Sequence, residues 1–457
     1  MIHESKLRSA NDPDAPLAAS TPLLVMLVVL LGGSFFFSEL DWRVSTYENY
    51  AIPPEEAEAL VEAGNRTRQA AYVLIGLLGS CLLISPARQK QNLWGLPTLL
   101  IGGYYLTCVA SIVWSDDPSL SLKRVVVLSF CLLAILGVVR QLTARDLLNL
   151  TLAIATGLTV VGIANELVLG TFRPFDAAYR FAGTVHPNTQ GAYCGVMVTA
   201  AFFGRRSARG SKSLYGVLLC LGAVLLLLTK SRSCLGACLI GLPAAWFVGT
   251  SRSMKTLVGL GAPWAVCSLL IAISLCGIEV TSELDSAAKL GRQGLDSGFE
   301  GLNGRLPLWL YLSEFIVENP LLGHGYHGFW TAERIYEVSI EQAWTVPSAH
   351  SVYLDVLLSV GLLGGTLFAL IVLLGLRRAA QRAQVEGEPA ECFLLSMLVF
   401  AVVSSVFESG FAQPTSFDSF LAACGLCCVL LRPAVRKMPA VPRAPAAVLT
   451  APATGSP

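Results

Sequence analysis

Pro347-Ser348-Ala349-His350-Ser351 is the junction that decides how this chain is read. Behind it, from Ile278, runs the longest polar segment between apolar stretches; ahead of it an apolar run extends through Leu376. A polar connection of about seventy residues among short ones is usually functional or disordered. This one carries Trp, Phe and Tyr at helix-like spacing, which predicts that it folds.

Working outward, composition sets the class. Hydrophobic residues make up 54% and charged residues 14% of 457, with mean hydropathy +0.62. That excludes an ordinary globular enzyme and predicts an all-α polytopic membrane protein. Apolar stretches that cross or nearly cross a bilayer recur about twelve times. They lie near 21–38, 70–85, 95–114, 124–140, 147–170, 189–204, 214–229, 233–249, 257–277, 351–376, 393–409 and 416–431. The first ends in Phe35-Phe36-Phe37 rather than a small-residue cleavage site, so it is expected to be retained. Most of the thirteen cysteines fall inside these runs and act as small apolar residues, with no zinc-type spacing.

The charges divide the connections into two sets. Segments 1–20, 86–94, 140–146, 205–213, 250–256, 377–392 and 432–457 hold 19 of the 32 Lys and Arg. The positive-inside rule assigns that set to the cytoplasm, with both termini inside and residues 278–350 outside. The expected organisation is a cytoplasmic tail over 1–20, membrane helices 1–9 over 21–277, an external loop containing helices over 278–350, helices 10–12 over 351–431, and a disordered tail over 432–457. An acidic external loop at 39–69 carries no evident chemistry.

Basic residues on the external side break the charge rule. They are Lys123, Arg124, Arg180, Lys230, Arg232 and Arg305. Charge near membrane depth is costly unless it faces a cavity or partner, so these are functional candidates. The alternative is snorkelling to headgroups, or pairing with Asp116, Asp117 or Glu318. Arginine's planar fork suits a phosphate. Lys230-Ser231-Arg232-Ser233 is a very short turn, and Arg305 precedes Pro307 at the predicted start of a helix reaching about Glu318. On that helix Trp309, Leu312, Phe315 and Ile316 form a stripe better suited to packing than to stacking a sugar. Of the histidines, His350 stands at the outer membrane face, where it either accepts a proton or bonds a backbone carbonyl. His186, in Phe181-Ala182-Gly183-Thr184-Val185-His186-Pro187-Asn188, suits a structural or substrate-contacting place. His324 and His327 form H-x-x-H, but Gly323 and Gly325 favour a turn over a metal-binding helix.

Taken in order, these pieces resemble the O-antigen ligase and Wzy-type polymerase superfamily, most closely its exopolysaccharide-polymerase-like members. The matching stretches are Trp114-Ser115-Asp116-Asp117-Pro118 with Leu122-Lys123-Arg124, the Phe181–Asn188 run, and Thr229-Lys230-Ser231-Arg232-Ser233. Further on come Gly304-Arg305 with Trp309, Asn319-Pro320-Leu321-Leu322-Gly323-His324-Gly325-Tyr326, and His350-Ser351 with Gly361-Leu362-Leu363-Gly364. The resemblance implies a GT-C-like helical fold and an inverting, metal-independent glycosyltransferase of the bacterial inner membrane, without cofactor. It implies that Arg232 and Arg305, with Arg180 or Arg124 nearby, bind the diphosphate of an undecaprenyl-diphosphate-linked glycan. His350 would take the proton from the acceptor hydroxyl, with Lys230, His186, His324 and Ser351 in support. Members often carry Asn where this chain has Ser351, which leaves the orientation of His350 less defined.

The expected partners are that lipid-linked donor, a glycan or lipid-core acceptor, membrane lipids and a chain-length regulator; nucleic acid is not expected. Ligase and polymerase are not separated by the motifs, though the large loop favours polymerase. A transporter or flippase would also need many spans, but neither internal repeats nor paired broken helices occur. An intramembrane protease is disfavoured because no Gly-x-Ser-Gly pairs with a suitable histidine.

Overall fold

The computed structural model describes residues 19–40, 66–176, 179–207, 211–250 and 305–433. Thirteen α-helices follow one another, and no strand occurs among the described residues. They are α1 (Thr21–Glu39), α2 (Arg66–Ile84), α3 (Leu96–Ala110), α4 (Pro118–Gln141), α5 (Ala144–Leu169), α6 (Pro187–Ser207) and α7 (Lys212–Thr229). Then come α8 (Arg232–Gly249), α9 (Arg305–Glu318), α10 (Ala332–Gln342), α11 (Val352–Glu386), α12 (Pro389–Ser404) and α13 (Phe417–Leu431). Eight helical segments are long and apolar enough to cross a membrane, and α12 and α13 are shorter apolar helices. Large apolar side chains such as Leu99, Leu106, Val217, Leu239 and Leu373 point outward, as lipid-facing positions do.

Local chemistry sets several boundaries. Asp117 caps α4 by accepting the Leu120 amide at 2.9 Å, just before Pro118. A capping box of Thr143 and Asp146 starts α5, and Gly170 ends it at φ +67°.

Hydrogen bonds between elements define two ends of the bundle. At one end Arg68 Nε donates to the Ser38 carbonyl at 2.8 Å, and the Phe417 amide donates to Glu39 at 2.9 Å. The Val352 amide there donates to the Ser405 carbonyl at 3.0 Å. At the other end the Asn92 amide reaches the Leu431 carbonyl at 2.7 Å, and Arg432 pairs with Glu391 at 3.0 Å. Arg140, Arg205, Arg206, Arg377 and Arg378 lie toward that second end, by helix direction.

The described part of the long loop folds into its own small core at the first end. Leu308, Leu312 and Phe315 of α9 pack with Phe329, Trp330, Ile335, Val338, Val346 and Ala349, and with Leu358 of α11. A backbone clasp ties this unit to α11. Gly361 interrupts α11 at φ +60°, and Gly323 approaches so closely that a Cβ there would meet the Gly361 nitrogen at 2.7 Å. The Leu362 amide, released by the kink, donates to the Pro320 carbonyl at 2.8 Å.

Some sequence expectations shift. The predicted span 393–409 stops at Ser404, leaving 405–416 as an irregular segment that carries Glu408. The predicted basic loop after 376 is instead a continuation of α11 to Glu386. Its charged turns are held by the Arg382–Glu386 pair at 2.9 Å and by Arg378 donating to the Leu430 carbonyl. The predicted span 257–277, the first part of the external loop (278–304), most of the acidic loop and the tail from 434 lie outside the described residues.

Candidate functional site

The site assembles at the bundle end that carries His350, beginning with the segment before α6. Glu166, near the end of α5, accepts the amides of Ala182 at 2.8 Å and Gly183 at 2.7 Å, and the Tyr179 hydroxyl. That anchoring fixes the segment presenting Arg180. Arg180 Nε then donates to the Thr229 carbonyl at 3.1 Å, and Nη2 to Asn188 Oδ1 at 2.8 Å. The turn 229–233 is thereby held against the start of α6. Lys230 occupies it at φ +52°, and Arg232, half-buried, is the first residue of α8.

Glu408 is the hub of this arrangement. Its Oε1 accepts from Asn188 Nδ2 at 3.0 Å, Ser233 Oγ at 3.1 Å and Arg305 Nη2 at 3.4 Å. Burial pushes the Glu408 carboxyl above its ordinary range, while Arg305 and the Ser233 hydrogen bond pull it back. Arg305, the first described residue of α9, also lies 5.7 Å from the centre of the Phe407 ring. Trp309, one turn on, stacks on that ring at 6.1 Å and donates its indole N–H to the Ala349 carbonyl at 3.0 Å. Segments distant in sequence thus meet at one carboxylate.

His350 adjoins this hub. Its backbone is left-handed at φ +47°, a strained conformation for a residue with a Cβ. Its ring lies 5.2 Å from that of Trp344, and its buried Nε2 has no hydrogen-bond partner among the described residues. Burial, then Arg305, then His186 push its pKa down to about 3, so the imidazole is neutral across the physiological range. His186 receives the Asn188 amide on Nδ1 at 3.2 Å. Ser351 is buried at the start of α11 and makes no side-chain cap.

Asp355 holds the segments on either side of His350 and Glu408 together. Its carboxylate accepts the Ala349 amide at 3.1 Å, the Trp330 indole at 3.0 Å and the Ser409 hydroxyl. Two expected participants lie elsewhere. Both ring nitrogens of His324 are engaged, Nδ1 with Asp116 and Nε2 with the Phe315 carbonyl, each at 3.0 Å. Arg124 belongs to a separate corner with Arg68, Tyr72 and Tyr326.

Glu408 and Asp355 were not singled out in the sequence, yet a signal existed. Each is a carboxylate inside a predicted apolar span, and such residues are functional candidates by default. Among the described residues no cluster of His, Cys, Asp and Glu has the makings of a metal site.

Residues 216–369 match the family model Wzy_C, described as O-antigen ligase. Over that third of its length the chain is similar to the O-antigen ligase family. The matched segment runs from α7 into α11 and contains Lys230, Arg232, Arg305, His324, His350 and Ser351. Arg180, His186, Glu408 and Arg124 lie outside it, so the matched segment draws part of its polar surroundings from flanking elements. No curated protein matches the chain.

Proposed function

We propose that the protein is an inverting glycosyltransferase that moves a glycan from undecaprenyl diphosphate to an acceptor hydroxyl at the outer face of the inner membrane. The observation that carries this is His350, a neutral, buried imidazole with an open Nε2, set beside Arg305. In the proposed step, Nε2 takes the acceptor's proton as its oxygen attacks the anomeric carbon. The bond from that carbon to the diphosphate breaks, and the lipid diphosphate leaves with the electron pair. Arg305, Arg232 and Arg180 meet the charge that develops on it. Guanidinium groups are adequate to stabilise so good a leaving group, and the mechanism calls on no metal.

Arg305 also couples donor binding to basicity. Its charge helps keep His350 unprotonated, and a bound diphosphate would cancel that charge and raise the affinity of Nε2 for a proton. The imidazole is then a better proton acceptor with the donor in place than in the empty site, although burial, the larger cause, still lowers its basicity. Glu408 orients Arg305 while the site is empty.

Twelve spans, a GT-C-like arrangement and cytoplasmic termini belong to the same proposal. Between the two acceptor classes, the helical unit around α9 and α10 favours polymerisation over transfer to a lipid A core. The test is a clean deletion strain carrying His350→Ala. Glycan transfer is lost while the protein still accumulates in the membrane; normal polymer or ligated glycan in that strain would overturn the mechanism.

A further inference from the structure

α9 and α10 build one unit, yet their outer faces differ in kind. On α10 the exposed positions are Glu333, Glu337 and Glu341 with Ile340, a face made for water. On α9 Leu306, Leu310 and Val317 stand exposed along one stripe, Leu310 at 63% and Val317 at 76%. Ser313 falls on the same stripe and turns its hydroxyl onto the Leu310 carbonyl at 2.6 Å. The opposite positions, Leu308, Leu312 and Phe315, already fill the core of the unit. Exposed Glu314 and Glu318 form only a narrow polar edge between the two apolar faces. A helix apolar on both sides is poorly suited to water, and its open stripe marks a contact surface.

What that surface meets follows from where α9 ends. The turn after it exposes Leu322 and, at 66%, Leu321. The turn is fastened to a membrane-length helix: the amides of Leu362 and Leu363 of α11 donate to the carbonyls of Pro320 at 2.8 Å and Leu321 at 3.2 Å. Leu362 and Leu363 are exposed as well. The Trp114 indole donates to the Leu322 carbonyl of the same turn at 3.1 Å. Trp114 closes the segment Leu96–Trp114, also of membrane length and apolarity, whose exposed Leu99, Leu106 and Val113 stand seven residues apart. Tyr104 against Phe368, ring centres 5.8 Å apart, sets α3 beside α11. Two lipid-facing surfaces therefore converge on the turn that ends α9, with a tryptophan there of the kind that collects at bilayer interfaces.

We propose that the outward stripe of α9, with Leu321 of the following turn, rests among the acyl chains of the phospholipid leaflet at that bundle end. On the orientation proposed above this is the outer leaflet. The unit then lies on the membrane by α9 and meets water by α10. Hydrocarbon takes up the apolar side chains, and the Glu314 and Glu318 edge stays at the headgroups. Arg305, one residue before Leu306, is thereby held at headgroup depth, where the diphosphate of a lipid-linked donor lies. That consequence for Arg305 rests on the glycosyltransferase reading; the lipid contact does not.

Photo-cross-linking of the full chain in phosphatidylethanolamine–phosphatidylglycerol vesicles tests it, with p-benzoylphenylalanine placed singly at the positions of Leu310, Val317, Glu337 and Leu373. Mass spectrometry is expected to find phospholipid adducts at Leu310 and Val317, as at the lipid-facing Leu373, and none at Glu337. Absence of lipid adducts at both α9 positions would overturn the proposal. So would cross-links from them to a second copy, or within the chain to residues 251–304, since protein would then cover the stripe. Adducts that form only when undecaprenyl diphosphate is added would make the stripe a substrate groove and overturn it too. None of these readouts needs turnover, so they stand apart from the fate of the His350 mechanism. In transfer assays Leu310→Asp with Val317→Asp, which sets charge against hydrocarbon, should raise the KM for donor about tenfold. An unchanged donor KM beside intact phospholipid adducts in the single-position experiments would overturn the consequence for Arg305 alone.

Discussion

Arg305 and Glu408 meet at 3.4 Å across 103 residues of sequence, and the same carboxylate oxygen takes Asn188 and Ser233. Glu408 therefore sets where the Arg305 guanidinium points. Glu408→Ala releases that guanidinium and leaves Asn188 and Ser233 without their acceptor. Transfer should fall about 10- to 100-fold, chiefly through a raised KM for donor, with Glu408→Gln milder because its amide oxygen still accepts. Steady-state kinetics in which donor KM stays at the wild-type value in both variants would remove Glu408 from this role.

The pH response follows from His350. Its folded pKa of about 3 lies below the ordinary 6.5, so the unfolded chain binds the extra proton between those values. His350 therefore contributes stability above about pH 6.5 that is lost as pH falls toward 3. The kcat/KM of the wild type should show no acid limb from this group near pH 6. Arg305→Gln removes one of the charges that depress it, and an acid limb should move upward toward neutrality. An unchanged pH profile in Arg305→Gln would contradict the coupling.

Asp355 is a positioning residue. Asp355→Ala leaves the Trp330 indole and the Ala349 amide unsatisfied in a buried setting, at a cost of about 1–3 kcal/mol each. Thermal unfolding in detergent should report that loss. Asp355→Asn, which keeps one acceptor oxygen, should fold nearly normally but lower kcat with little change in either KM. A fall in kcat that tracks only the amount of folded protein would reduce Asp355 to a structural tie.

Gly361→Ala tests the clasp. The residue is at φ +60°, and an added Cβ would collide with the Leu321 carbonyl. The strain amounts to about 1–3 kcal/mol and should appear as faster amide exchange over 319–326, with α12 and α13 unaffected. Protection equal to wild type in that turn would show that the clasp does not depend on Gly361.

Topology has its own test. A reporter fused near residue 320 should read as external and one near residue 380 as cytoplasmic; the opposite pattern would invert the proposed orientation.

Much of this architecture was legible before any coordinates. Long apolar runs have little option but helices in a bilayer, because every backbone group must be satisfied within the segment, so the eight membrane-length helices among the described residues followed from composition. The helix from Arg305 to Glu318 was legible too, since Gly304, Pro307 and a regular apolar stripe are local signals. Charge asymmetry sorted the connections into two sets because Lys and Arg are costly to carry across.

Other features exist only through contacts between distant segments. Glu408 lay unnoticed inside an apolar run, and what ended α12 before it was the pairing of segment 405–416 with α6, α8, α9 and α11. Arg124 and Arg305 looked alike in sequence, both basic residues near a helix start, yet packing set Arg305 against Glu408 and Arg124 within electrostatic range of Arg68 and Tyr326. The sequence by itself determined that the chain is a bundle of membrane-length helices with arginines and a histidine clustered at one set of helix ends. Only the tertiary structure decided which arginine faces that histidine, because side-chain proximity across hundreds of residues depends on how the helices pack, and no local propensity encodes it.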